Sequence, residues 1–323
     1  MSKKILLQKI RDNDTSLDYI YLFNESLTDE EIGIVTEYLN KPSSNIIAIE
    51  LLWHVLSQEG IVILANAMKS NSTVTKFMIY HEIFAPKAIL ALAEFVKVNS
   101  TVKTLYLGCT EISKITNALK INSSIASISF CADIEDKGAI DLSEALKVNS
   151  SITNVDLRCN GITDEGAKAL AEAFKVNSSI TNINLFCNKI GDEGLKVISD
   201  ALKVNSSITD INLCCNRFKT VGAVALADAL KINSTLANID IASNQIGVEG
   251  AIAIGEAFKV NTGVKHIKLI NSKIGRVGLK SLKSSLEFND REIIVSPSDV
   301  PIKHKQSKNK TKPPPKKRTK IIQ

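Results

Sequence analysis

The sequence predicts an α/β solenoid: a right-handed horseshoe of about ten strand-helix units, with a parallel inner sheet and outer helices. Three observations predict it. Asn149, Asn177, Asn205, Asn233, Asn261 and Asn289 recur every 28 residues, and Gly138, Gly166, Gly194, Gly222, Gly250 and Gly278 recur on the same count. Within each unit the apolar period changes from two to about 3.6: Ile183 and Leu185 alternate, then Leu195, Ile198 and Leu202 follow helical spacing. One such unit cannot bury its apolar face alone, whereas stacked units can.

The elements follow in order. Residues 1–16 read as an N-terminal cap, 17–295 as the solenoid and 296–323 as a basic, disordered tail. Strands are expected near 17–22, 46–51, 74–79, 102–107, 125–130, 152–157, 180–185, 208–213, 236–241 and 264–269, with an eleventh near 292–295 closing the end. Helices follow each strand in Ala/Leu/Glu/Lys runs of high helix propensity. Thr163 and Asp164 are N-cap candidates, and Lys175 suits a helix C-terminus. Asn177 stands where a left-handed C-cap is expected. Gly166 and its copies lie near helix starts, where small size lets helices approach. The stretch 107–124 is a short unit without the D-E-G-A turn.

The composition narrows function. Hydrophobic residues make up 44% of the 323, aromatics only 5%, and no run of about 18 apolar residues spans a membrane. No secretory signal is legible at the N-terminus. Six cysteines in a chain of this size are no disulfide framework, which points to a reducing compartment. The +6 charge is uneven: residues 300–323 hold nine Lys/Arg and no acid, which leaves 31 basic against 34 acidic residues, a net of −3, in the body.

The pattern L-x-x-L-x-L-x-x-N-x-L appears as Ile180, Ile183, Leu185, Asn188 and Ile190, and again as Ile208, Ile211, Leu213, Asn216 and Phe218. This resembles a leucine-rich repeat. The 28-residue unit is similar to the ribonuclease-inhibitor subtype, found also in NLR-type receptors and RanGAP, over roughly residues 17–295. The resemblance implies that Asn160, Asn188, Asn216 and Asn244 turn inward and bond the backbone of neighbouring turns, with His54 and Glu82 departing from that slot.

Strand positions three, five and seven should face the concave side. In later units these are Asn154, Asp156 and Arg158, then Asn182, Asn184 and Phe186, then Asp210, Asn212, Asn238 and Asp240. They form a polar, mildly acidic grid. In earlier units the same positions carry Tyr19, Tyr21, Phe23, Leu52, Met78, Tyr80 and Tyr106, a gathering of aromatics that suits a partner-binding face unless a cap or helix covers it.

Other chemistry finds little footing. Cys109, Cys159, Cys187 and Cys215 share the eighth motif position, Cys131 joins them if one residue is deleted, and Cys214 precedes. A row of ligands is no tetrahedron, no CxxC exists, and no histidine stands as a base beside Cys159–Cys215; packing is the expected role. The grid carboxylates lie on an open ribbon, and there is neither a Walker A loop nor a GxGxxG. No catalytic residue, metal or cofactor is therefore expected. Lys316, Lys317, Arg318 and Lys320 form a basic cluster, suited to an acidic surface or a nuclear import receptor.

The expectation is a monomeric, cytoplasmic, non-enzymatic scaffold that docks a partner protein in its concavity. A nuclear location through the tail, or secretion into a host cytosol, is the variant. Two alternatives stand beside it: a GTPase-activating protein resembling RanGAP, and an effector- or innate-sensor-like repeat protein of an intracellular organism.

Overall fold

The computed structural model describes residues 2–53, 55–80, 83–285 and 291–295. His54, Glu82 and the basic tail lie outside the described residues. Helix α1 (Lys3–Arg11) is followed by β1 (Tyr19–Phe23), α2 (Asp29–Leu39), β2 (Ala48–Leu52), α3 (Gln58–Met68), β3 (Lys76–Tyr80), α4 (Pro86–Val98), β4 (Thr104–Gly108), α5 (Ser113–Leu119), β5 (Ser127–Phe130) and α6 (Glu135–Leu146). The second half runs β6 (Asn154–Asp156), α7 (Asp164–Val176), β7 (Asn182–Asn184), α8 (Asp192–Val204), β8 (Asp210–Asn212), α9 (Thr220–Leu230), β9 (Asn238–Asp240), α10 (Gly247–Val260), β10 (His266–Lys268), α11 (Gly275–Ser285) and β11 (Glu292–Ile294). All eleven described strands pair in parallel, in sequence order, in one sheet. This is the expected α/β solenoid.

Alternation sorts the strand residues. Val155, Ile183, Ile211 and Ile239 point into the core from the middle of their strands, and the residues on either side face out. The helices close the core with Leu170, Leu202, Leu226 and Ile254, and fully buried phenylalanines from helices (Phe95, Phe174 and Phe258), a strand (Phe130) and a turn (Phe218) help to fill it. Each such side chain contributes about 1.5–3 kcal/mol of burial. At the N-terminal end, Leu6, Leu7 and Ile10 of α1 cover the first unit's core.

Strand length follows from the fifth motif position. Strands β1 to β4 have five residues each, whereas β6 to β9 have three. In the later units Asp156, Asn184, Asn212 and Asp240 occupy that position, and each side-chain oxygen accepts a hydrogen bond from the backbone N–H two residues on, at 3.0–3.2 Å. Such Asx-type bonds start a turn. The early units carry Tyr21, Glu50, Met78 and Tyr106 instead, and the strand runs on.

Helix starts are capped from the preceding unit. Thr163 is the N-cap of α7 as expected, with Oγ1 accepting from the Glu165 N–H. Asp164 is not a cap of its own helix: Oδ1 accepts from the Gly191 N–H, at the N-cap of α8. Asp136 likewise accepts from the Thr163 and Gly166 N–H groups, and Asp192 from those of Lys219 and Gly222. The invariably small Gly166 makes room for this device. A Cβ there would lie 2.5 Å from Asp136 Oδ1 and 3.1 Å from Ala139 Cβ.

Asn177 corrects a second expectation. Its φ of −79° and ψ of 129° are extended, so it is no left-handed cap. It is a rung of a buried ladder. Its Nδ2 donates to the carbonyls of Leu146 and Asn149, while its Oδ1 accepts from the N–H groups of Ser179 and Ile180. Asn71, Asn99, Asn122, Asn149, Asn205 and Asn233 repeat the pattern. Asn261 donates to the Leu230 and Asn233 carbonyls. At the last unit Arg291 takes over: its Nη2 donates to the carbonyls of Phe258 and Asn261, and its guanidinium lies 4.2 Å from the Phe258 ring centre. Desolvation lowers the pKa of this buried arginine.

Candidate functional site: the concave face

The inward asparagines at the other end of the strands form the ladder that the resemblance implies. Asn188 Nδ2 donates to the carbonyls of Leu157 and Leu185, and its Oδ1 accepts from the N–H groups of Asn160 and Ile162. Asn160, Asn216 and Asn244 bond their neighbours in the same way, and Ser272 Oγ continues the line to the Ile241 carbonyl. Buried turn backbone needs such partners. With strand register fixed on both sides, the outward residues fall into straight rows across the sheet.

The C-terminal part of the concave face is a shallow polar trough of about 580 Å³, floored by Asn154, Asp156, Asn182, Asn184, Asp210, Asn212, Asn238 and Asp240. The sequence grid ends at β9, two units short of the trough's end. His266, Lys268 and Glu292 line the same trough at the same register positions, and extending the grid to β10 and β11 would have found them. Two of the trough's acids pair with an arginine or a lysine. Arg158 Nε lies 2.8 Å from Asp156 Oδ2, Lys268 Nζ lies 3.2 Å from Asp240 Oδ2, and His266 Nδ1 lies 3.0 Å from Glu292 Oε2. Asp210 receives Asn238 Nδ2 and the Thr209 hydroxyl. Phe186 and Arg158 stand at the trough's upper rim, half-buried and exposed respectively.

The N-terminal part is different. Tyr19 stacks on Tyr21, with ring centres 6.3 Å apart and planes 14° apart. Glu50, buried beneath them, pairs with Lys76 Nζ at 2.5 Å and bonds the Tyr19 hydroxyl. Burial first, then Glu50, raises the Tyr19 pKa. Met78 and Tyr106 are half-buried one and two units on, and burial likewise raises the Tyr106 pKa, with the Cys131 thiol beside it. Above them runs an aromatic row that the sequence reading missed in part. Trp53 stands between Phe23 (6.5 Å, edge-on) and Tyr80 (4.7 Å). Trp53 is 44% exposed and Phe23 52%. Trp53 occupies the eighth motif position with φ at +68°, outside the three positions assigned to the concave face. Its being the chain's one tryptophan, next to Leu52, was the available signal. Neither α1 nor the early helices cover this row.

Cys109 packs in the core as expected, whereas cysteines of the later units depart from that role. Cys159 and Cys187 are exposed, and Cys159, Cys187 and Cys215 share φ near +56°. Asn24, Ser243 and Asn271 hold the same left-handed geometry in other units, so the position serves the turn rather than the core. Burial pushes the Cys109 and Cys214 thiols up to about 12, and burial together with the Cys187 thiol pushes Cys159 up to about 11. Such groups are protonated at neutral pH and are poor nucleophiles. Among the described residues no three His, Cys, Asp or Glu side chains group as metal ligands, and no helix is long and apolar enough to cross a membrane.

Stacked strand-helix units, two amide ladders and an open, chemically graded concave sheet define a repeat solenoid. A family model described as Leucine Rich repeat matches residues 148–171, 176–199 and 233–255. The chain carries leucine-rich repeats. Its fold is similar to the structure of the Rad7 and Elc1 complex in yeast, with a TM-score of 0.55 at 14% identity over 85% of this chain and 69% of that one. Two weaker similarities are to leiomodin-1 actin-binding site 2 (TM-score 0.38, 22% identity, 44% and 84% covered) and to the tropomodulin C-terminal domain of Caenorhabditis elegans (0.39, 19%, 46% and 91%). No curated protein matches the sequence.

Proposed function

We propose that the chain is a docking scaffold for a protein partner that lies across the concave sheet. The observation that carries this reading is the solvent-open row Phe23–Trp53–Tyr80 on a chain with only 5% aromatic residues. Rigid aromatics bring large contact area at little entropic cost, which is why they dominate interface energetics. The trough from Asn154 to Glu292 orients the partner through amide and carboxylate hydrogen bonds. Its internal ion pairs keep the acids from acting as a general anionic magnet. A regular solenoid holds both regions in place before binding, so little ordering entropy opposes association. The full helix in most units supports the ribonuclease-inhibitor type of repeat. The GTPase-activating reading gains no residue, because Arg158 is held by Asp156.

The test is affinity capture from lysate of the source cells with the whole chain and with Trp53→Ala plus Tyr80→Ala. The pair should weaken capture of the specific partner at least about 30-fold, as loss of a hot spot does. The circular dichroism spectrum and unfolding midpoint should hold. Undiminished capture by the folded double variant refutes the site.

A further inference from the structure

The repeat places a second surface on the molecule, remote from the concave face. Val98, Ile121, Val148, Val176, Val204, Ile232 and Val260 each precede a rung of the buried asparagine ladder. They close seven successive helices, α4 to α10, or follow two residues after the helix end. All seven are 54–65% exposed. Because the ladder fixes the rung beside each one, they line up as a continuous aliphatic stripe along the edge where helix returns to strand. The residue two positions on is a small, exposed Ser or Thr in every case (Ser100, Ser178 and Thr262 among them).

We infer that this stripe is the interface of a homodimer, its occupant the same stripe of a second copy. Three observations favour that occupant. The first is area. At this exposure each side chain offers on the order of 100 Å², so the stripe alone gives roughly 700 Å² per copy, close to the about 800 Å² per partner of a stable interface. The second is charge. Five of the seven lysines beside the stripe are neutralised within their own helices, Lys97 and Lys120 being the exceptions. Lys147 pairs with Glu144, Lys175 with Glu172, Lys203 with Asp200, Lys231 with Asp228 and Lys259 with Glu256, at 2.5–2.8 Å. Two such edges approach without net repulsion, while an anionic lipid or nucleic acid finds few free cations. The stripe also lacks the aromatics of membrane-interface surfaces. Its β-branched side chains have one main rotamer to keep, so ordering them costs little.

The third observation is geometry. A regular coil of units is carried onto itself, reversed, by a two-fold axis through its midpoint. The midpoint of the seven is Val176. The axis therefore sets Val176 against Val176, Val148 against Val204, Ile121 against Ile232 and Val98 against Val260. This is an isologous, closed contact. It leaves both concave faces open and departs from the monomer expected from the sequence.

Sedimentation of the whole chain between about 1 and about 100 µM tests it, a range that brackets interfaces of this size. The expected result is a mass rising from 35.2 kDa to twice that value. Val176→Asp with Val204→Asp should weaken association at least about 100-fold, since it buries like charges at the centre of the contact. Val221→Asp, at the other end of α9, should leave it unchanged. In a Cys159→Ser, Cys187→Ser background, oxidation should cross-link Val176→Cys to itself. Val98→Cys alone should stay uncross-linked until Val260→Cys is added to the same chain. A single 35.2 kDa species throughout, or a dimer indifferent to the stripe, overturns the inference. So does a monomer that binds phosphatidylserine vesicles through Val176. Equal self-cross-linking of Val98→Cys overturns the two-fold register.

Discussion

Single residues carry this fold in an unusual proportion. Asn177 satisfies two carbonyls and two N–H groups in a turn that water does not reach. Asn177→Ala orphans all four at once, and Asn177→Asp replaces a donor with a charge beside two carbonyls. The alanine variant should lose about 3 kcal/mol or more in urea unfolding, since each orphaned buried group costs about 1–3 kcal/mol. A loss within about 0.5 kcal/mol, the level of an ordinary surface change, would contradict the ladder. The cysteines make the opposite point. Cys159 is exposed yet has a thiol pushed up to about 11, so it is protonated and slow at pH 8. Its alkylation by iodoacetamide, followed site by site in a mass spectrometer, should rise about tenfold per pH unit and level only near pH 11. A plateau near pH 9 would show an unshifted thiol.

At the level of elements, each helix depends on its predecessor. Asp192 belongs to α8 but bonds the first N–H groups of α9. Asp192→Ala should therefore fray α9, with faster amide exchange at Thr220–Leu230, while the start of α8 keeps its protection; the cost should be about 1 kcal/mol. Exchange that quickens in α8 instead would contradict cross-unit capping. Here the limits of the sequence are clear. Periodicity gave strand, turn and helix in every unit, because the 2-to-3.6 switch is local. The partner of Asp164 was not legible, because the group that it caps lies 27 residues away, one unit on. Asn177 was misread for the same reason: beside a helix end an asparagine suggests a local cap, and only the stacked neighbour shows it to be a ladder rung. Trp53 was missed because its left-handed backbone turns an eighth-position side chain toward the aromatic row. The grid was legible, since register follows from a fixed count, and it failed only where β10 and β11 lose the consensus letters.

At the scale of the whole molecule, the chain separates three tasks by direction. The core and its two ladders fix curvature and register. The concave sheet grades from an aromatic N-terminal region to a polar C-terminal trough. The helix-to-strand edge carries the aliphatic stripe. A partner docked on the concave sheet at the aromatic row is detected most directly by proximity. A photoreactive residue in place of Tyr106, beside the row, should cross-link the captured partner, and Trp53→Ala in the same chain should abolish the adduct. The same probe in place of Leu90, exposed on α4, should give none. Adducts from the Leu90 position with none from Tyr106 would contradict the account.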